Sequence, residues 1–472
     1  MLCVDFSKAF DRLPRDILFK KLRECGINGK FLSVLQNLYA NDKASVQIDG
    51  KMSEPFNINQ GVRQGCVMSP LLFNIFMADL AKKLQNETKI PLYNDTLINS
   101  IFWADDLLLF SESEEGLNSI LKQVNEHSLK NRLKINFDKT KCMIFNKTGR
   151  LLRNMFHIGD EKLENVRSYK YLGLVFTPSG EIKSALDDLR ARALKAYMSM
   201  KDKLGICFKE YPADTIYLFD TLVKPVLLYG SDFWGCLSLP KNNPIENLHL
   251  MFCKHLLGVQ KHTTTDGVLL ELGRVPLQLN AKKAAVKNWE RLRTGKANTI
   301  VLASANNAEK EGLEWISRIK FCLSENGLGY THILNNPINA HKKLSKRQVD
   351  IFNQTALNHI TTPDSKLRTY SLIKNKPGAE IYLTHIKNIR YRVALSKFRL
   401  SNHELMIEIG RHKKIIKTER FCPLCPNSVI EDETHFLINC QSLNTLRKET
   451  FSELEMSKVN CPHLSSTVKF IS

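Results

Sequence analysis

The stretch FWADDLLLF sets two adjacent carboxylates, Asp105 and Asp106, inside an apolar run. A hairpin tip accounts for one Asp, whose side chain suits turn backbone. It accounts poorly for two, because like charges in a half-buried site repel. A divalent cation is the usual counter-charge in such a place. A third carboxylate, Asp5, lies in MLCVDF, where Leu2, Val4 and Phe6 alternate with Cys3 and Asp5 as on a short strand. If the hairpin pairs beside that strand in one antiparallel sheet, the three converge at one edge. Such a cluster can hold two Mg²⁺ or Mn²⁺ ions about 3.5–4 Å apart, suited to in-line displacement at phosphorus. Each Asp alone is more often a turn or cap residue.

A second set of candidate ligands stands near the C-terminus, in CPLCPNSVIEDETHFLINC. Cys422 and Cys425 form a Cys-x-x-Cys knuckle, followed at short spacing by His435 and Cys440. Three thiolates and one imidazole make a closed tetrahedral set for structural Zn²⁺. Chance buried cysteines or a redox pair are the alternatives. Cys461 and His463 are spare ligands that could replace one of the four.

The elements that must position these residues are legible in outline. LPRDILFKKLRECGI reads as a helix with Pro14 in its first turn. NGKFLSVLQNLYAN reads as another, with Phe31, Leu35, Leu38 and Tyr39 on one face. Asp49-Gly50 marks a hairpin. Gly61 and Gly65 form a loop ending at Ser69-Pro70, an N-cap and first-turn pair that opens a long helix. Ser111 and Glu114 suggest a capping box ahead of a helix that buries Leu117, Ile120, Leu121 and Val124. LKINFDKTKCMIF reads as strand, turn and strand, and YKYLGLVF as a short strand pair. From Ser184 onward the pattern is mostly helical.

The chain has 472 residues, with 43% hydrophobic and 25% charged, an ordinary globular balance that calls for more than one domain. A formal charge of +20 is not ordinary and favours a polyanion, nucleic acid before acidic membrane. Basic runs such as KNIRYRVALSKFRL and GRHKKIIKTER fit phosphate contacts. No apolar run is long enough to span a bilayer. The twelve cysteines are scattered singly except near the C-terminus, which fits a reducing compartment rather than a disulfide framework.

VDFSKAFDRL, NQGVRQGCVMSPLLFNIF, FWADDLLLF, LKINFDKTKCMIF and YKYLGLVF occur in the order of the palm motifs of reverse transcriptases. Their wording resembles non-LTR (LINE-type) retrotransposons rather than retroviruses, over roughly residues 1–176. The resemblance implies that Asp5 and Asp105 bind the catalytic metals, with Asp106 supporting. It implies that Phe6 and its neighbouring backbone line the incoming triphosphate, and that Phe10 excludes a 2′-hydroxyl. Gln64 and Gly65 would pack on nucleotide and template. Lys139 would assist the leaving pyrophosphate, with Lys141 as runner-up, and YKYLGL would grip the primer end. Trp103 departs from the usual Phe or Tyr, as a larger aromatic for the same pocket. The cysteine–histidine set resembles the C-terminal knuckle of such proteins.

The expected fold is therefore α+β. A polymerase palm with an antiparallel sheet and packed helices spans 1–180, with the fingers mostly missing. A helical thumb and post-polymerase region follows over 181–296, then a helical linker over 297–384. A basic region with a zinc knuckle spans 385–472. The expected activity is RNA-directed DNA polymerisation, adding dNTPs to a DNA primer on an RNA template; the alternative is a non-catalytic nucleic-acid-binding remnant. The chain begins four residues before Asp5, so the expectation is a truncated copy that polymerises poorly. Its place of action would be intracellular, in the nucleus or in a cytoplasmic ribonucleoprotein.

Overall fold

The computed structural model describes residues 1–87, 90–91, 97–152, 155–239, 243–329, 338–362, 365–426 and 428–455. Cys461 and His463 lie outside them. The chain forms two compact units, Met1–Ala185 with Ala297–Gly312, and Leu186–Lys296 with the described residues from Leu313 on. The region expected as one linker thus divides, its first helix grouping with the N-terminal unit.

The first unit is mixed α+β around a five-stranded sheet of order β5-β4-β1-β3-β2. Its strands are β1 (Leu2–Val4), β2 (Ser100–Trp103), β3 (Asp106–Leu109), β4 (Lys141–Cys142) and β5 (Glu164–Asn165). All pairs are antiparallel except β4 with β5. One face of β1, carrying Leu2 and Val4, joins Phe6 in an apolar core. The core is completed by α1 (Ala9–Arg12), α2 (Arg15–Glu24), α3 (Gly29–Ala40), α4 (Ser69–Leu84) and α5 (Glu114–Lys130). A further hairpin, β6 (Tyr169–Tyr171) and β7 (Leu174–Phe176), turns tightly through Leu172 and Gly173, both at positive φ. The expected hairpin at Asp49-Gly50 is present, with both turn residues left-handed.

Several local expectations shift by a residue or a face. Pro14 precedes α2 as its cap rather than entering its first turn. Met68 is the cap of α4, while the Ser69 hydroxyl donates to Arg63 O at 2.6 Å. Ser113, not Ser111, caps α5 by accepting from Gly116 N at 3.0 Å. Phe31 is 60% exposed; α3 buries Leu32, Leu35 and Tyr39 instead, spaced three and four residues apart on one face.

The second unit is helical. It contains α6 (Lys183–Leu204), α7 (Pro212–Leu222), α8 (Pro244–Leu257), α9 (Thr265–Glu271) and α10 (Leu277–Arg293). These are followed by α11 (Glu314–Glu325), α12 (Ala340–Ile360), α13 (Ile389–Arg399) and α14 (Met406–His412). The stretch LLELGRVPLQL holds buried ion-pair partners, Glu271 and Arg274. Gly235 packs so close to α10 that an added Cβ would lie 2.0 Å from Ala281 O. Arg274 donates to Asp220 Oδ1 at 2.7 Å and to His249 Nε2 at 2.9 Å.

Arg399 is 1% exposed and donates to Glu271 Oε1 at 2.7 Å and to Glu380 Oε2 at 2.6 Å. Glu271 is itself fully buried. The run KNIRYRVALSKFRL is therefore not a uniform phosphate surface. Arg399 faces inward, and so does Arg392, whose guanidinium donates to Ile386 O, Lys209 O and Glu210 O. Replacing Arg399 by Met leaves Glu271 as an uncompensated buried charge. It is expected to destabilise the second unit by about 3–5 kcal/mol in denaturant titration. The double change with Glu271→Gln should recover part of that loss.

Candidate active site and cysteine–histidine cluster

The register of the sheet brings the first two carboxylate groups together. Leu2, Cys3 and Val4 pair with Leu109, Leu108 and Leu107. Continued one residue past the end of β1, that register sets Asp5 level with Asp106, and the Asp5 charge acts on the Asp106 carboxyl. Trp103 pairs with Asp106 across the hairpin, which leaves Ala104 and Asp105 as its two-residue tip. Ala104 holds a positive φ of 53, a left-handed conformation costly for a residue with a Cβ, as tight functional turns often are. Trp103 is 63% exposed, so it fills no pocket.

The segment after β1 is held in place from the chain around residue 136. Ser7 N donates to Lys134 O, Asn136 N to Asp5 O, and Asp5 N to the buried Thr140 hydroxyl. This clamp presents Lys139, whose Nζ stands 3.9 Å from Asp5 Oδ2. The ammonium is largely exposed and free to follow a ligand. Lys141 is engaged elsewhere, at 2.6 Å from Glu164 Oε2. The Asp106 carboxyl is raised from its ordinary pKa, first by burial and then by the charges of Asp105 and Asp5, with Lys139 opposing. Burial also raises the Tyr169 and Tyr171 hydroxyls, and Asp106 adds to both, which sets the β6–β7 hairpin beside the carboxylates.

Phe6 is buried in the core, leaving only its backbone for a ligand. Phe10 stacks on Phe73 at 4.7 Å between ring centroids. Gln64 donates to Asp11 Oδ1 at 2.8 Å, and Gly65 stands in open space at φ 80. The loop carrying them is fixed by Arg15, which the sequence reading passed over. Its guanidinium donates to Gly61 O, Tyr39 O, Ile58 O and Asp42 Oδ2 at 2.6–2.9 Å. Arg63 reaches the other Asp42 oxygen at 3.0 Å. A basic residue beside Pro14 at a helix start is too common a pattern to have signalled this role. Beside the loop lies a cavity of about 780 Å³ lined in part by Asp11, Arg15, Lys43, Arg63 and Gln64.

Gly61 needs its missing side chain: at φ 81 an added Cβ would lie 2.5 Å from Asp11 O. Gly61→Ala is expected to cost roughly 2–4 kcal/mol in chemical denaturation, from backbone strain and the clash together. Gly65→Ala, with the same sign of φ but open space, should cost only about 1–2 kcal/mol.

The four C-terminal residues do gather. The ligand atoms of Cys422, Cys425, His435 and Cys440 all lie within 4.8 Å of one another. Cys425 Sγ is 3.4 Å from Cys440 Sγ and 3.5 Å from His435 Nε2. Zn–S bonds of about 2.3 Å in a tetrahedron place sulfurs about 3.8 Å apart, so the set is compatible with zinc. The cysteines are unbonded thiols. A bridge between Phe421 and Ile430 presents the knuckle, and Asp432 caps the turn before His435 at 2.7 Å. Among the described residues, Asp5, Asp105 and Asp106 do not close into so compact a set.

The family described as reverse transcriptase (RNA-dependent DNA polymerase) matches residues 1–176. The Pol polyprotein of the type-2 retrotransposable element R2DM of Drosophila melanogaster is 33% identical over 190 residues, 38% of this chain and 18% of that protein. The RNA-directed DNA polymerase from the mobile element jockey of Drosophila funebris is 25% identical over 301 residues, 61% of this chain and 32% of that protein. The Pol polyprotein of the type-1 retrotransposable element R2 of Popillia japonica is 24% identical over 238 residues, 49% and 38% of the two chains. The chain thus spans well under half the length of these relatives. No helix among the described residues is long and apolar enough to cross a membrane. Residues 1–176 thus match the reverse transcriptase family and are similar to the polymerases of non-LTR, LINE-type retrotransposons.

Proposed function

We propose that the first unit is the palm of an RNA-directed DNA polymerase that extends a DNA primer with dNTPs on an RNA template. The observation that carries this reading is the level placement of Asp5 and Asp106 across paired strands, with Asp105 at the hairpin tip. The crowded negative charge there, visible in the raised Asp106 carboxyl, suits a divalent cation. Asp5 and Asp105 would hold Mg²⁺ or Mn²⁺, with substrate phosphates completing the shell. When bound, such ions activate the attacking oxygen and stabilise the leaving one. Lys139, beside Asp5, would meet negative charge as pyrophosphate departs. Phe10, braced on Phe73, would act as the filter against a 2′-hydroxyl. Gln64 and Gly65 would meet nucleotide and template on the loop that Arg15 anchors. The β6–β7 hairpin would hold the primer end, and the helices from α6 on would serve as thumb and linker. An enzyme copying RNA at a chromosomal target would act in the nucleus.

Primer extension on a homopolymer RNA template with a DNA primer tests this. Whatever extension the wild-type chain gives in Mg²⁺ or Mn²⁺, even weak, should fall at least about a hundredfold in Asp105→Asn, as expected when positioned charge is removed from phosphoryl transfer. Equal activity in the variant would overturn the assignment. No extension by either chain would favour the alternative of a nucleic-acid-binding protein without chemistry.

The C-terminal set is the second part of the proposal: Cys422, Cys425, His435 and Cys440 bind one structural Zn²⁺ in a knuckle. Elemental analysis of the purified chain should find one zinc per molecule, and Cys440→Ser should lower it by about tenfold or more at micromolar protein. Chelation should raise protease sensitivity in this segment. A zinc-free chain with unchanged sensitivity would remove the metal from the account.

A further inference from the structure

We propose that Glu431 and Glu433 couple the metal occupancy of the cysteine–histidine knuckle to the fold of α14 and of the turn at Arg368. The inference rests on the zinc reading above and adds to it two positioning residues and a direction of control. Glu431, Asp432 and Glu433 are consecutive acids between the ligands Cys425 and His435. Such a run ordinarily forms a solvated face, yet Glu431 is 5% and Glu433 1% exposed. Both bond inward, to the helical unit. Glu431 Oε2 accepts from Met406 N at 2.6 Å, and Glu431 O accepts from Ile407 N at 3.0 Å. These are the first amides of α14, which a helix leaves open and which the side chain of Leu405, its cap residue, does not satisfy. Glu433 Oε1 accepts from Arg368 at 2.8 Å and lies 3.0 Å from His403 Nε2. The same Arg368 nitrogen reaches Glu408 Oε1 of α14 at 2.9 Å, so one guanidinium joins knuckle, helix and turn.

The knuckle buries little apolar surface of its own, since Phe421, Leu424 and Val429 are all exposed. Its gathered ligand residues close it, as in small domains whose fold follows the metal. Both acids are fastened to those ligands through the backbone. Glu431 N donates to Arg420 O, and Cys422 N donates to Val429 O. Glu433 comes just before His435, whose N–H is held by Asp432 Oδ1 at 2.7 Å. Arg420 ties the other strand of the knuckle to the same helix, donating to Ile407 O at 2.9 Å. When the ligand set opens, both acids therefore lose their anchorage. Helix α14 is then a seven-residue segment without a cap, too short to persist by itself. Arg368 loses one of its two carboxylates, which is costly for a half-buried charge. An event at the ligands is thus passed to α14 and to the Arg368 turn.

Hydrogen–deuterium exchange of the full chain, zinc-loaded and then stripped with a zinc chelator, tests the coupling. On stripping, amides of α14 and of residues 367–371 are expected to exchange at least about tenfold faster, together with those of the knuckle. Amides of α10, packed on the Gly235 segment, should keep their rates. The double change Glu431→Ala, Glu433→Ala should still hold one zinc per chain by elemental analysis. Its α14 should exchange fast in both metal states, because the link has been removed and the ligands have not. Protected α10 amides in that variant report a folded unit; if they are lost, the wild-type comparison decides alone. Acceleration confined to residues 420–443 would overturn the coupling and leave the zinc site standing. Acceleration spread equally over α10 would overturn it as general unfolding. A zinc dependence of α14 that survives in the variant would remove Glu431 and Glu433 from the account. A chain that holds no zinc would overturn the knuckle reading itself, and this inference with it.

Discussion

The first unit depends on the pairing of a three-residue strand. Leu2–Val4 lies between β3 and β4, so its neighbours on both sides determine where Asp5 emerges. Strand side chains alternate between faces, so a slip of one residue would turn Asp5 into the helix-packed core and Val4 toward the carboxylates. The slip is opposed by the apolar set Leu2, Val4 and Phe6, which the helices cover, and by the clamp from Lys134 to Thr140 on the next segment. The placement of Asp5 and the packing of the core are thus one constraint. What specifies the buried face specifies the exposed acid.

Buried guanidinium groups do comparable work in both units. Arg15 satisfies three carbonyls and a carboxylate around the Gly61–Gly65 loop. Arg399 bridges Glu271 and Glu380 in the helical unit. A planar group with five donors can tie irregular backbone or paired acids that no regular ladder satisfies. Its removal strands the acceptors, so the loss falls on stability as well as on the conformation it holds.

The two candidate metal centres follow opposite physical plans. The cysteine–histidine ligands stand close together on a small knuckle, a closed set that completes a coordination shell from protein atoms alone. The three aspartates stand more openly at a strand end and a hairpin tip, where substrate oxygens can share the ions. An open shell suits turnover and a closed one suits structure.

Local signals were readable without any structure. Alternation around Asp5, the paired acids in an apolar hairpin, the turn at Asp49-Gly50 and the Cys-x-x-Cys knuckle each occupy a few consecutive residues. Neighbouring side chains alone settle such patterns. Helix starts were misplaced by a residue or two at Pro14, Ser69 and Ser111, because several capping residues compete within one turn. The basic run around Arg392 and Arg399 read as surface, since charge alone does not reveal which guanidinium meets buried acceptors. The sequence by itself therefore determined the order of elements, the acidic and thiol ligand sets and the excess of positive charge. Only the tertiary structure decided that Asp5 stands level with Asp106, that Lys139 rather than Lys141 faces it, and that Arg15 and Arg399 are anchors. Those outcomes rest on contacts between residues far apart in the chain, 46 positions for Arg15 with Gly61 and 128 for Arg399 with Glu271. No local pattern encodes them, because the partner is supplied by packing.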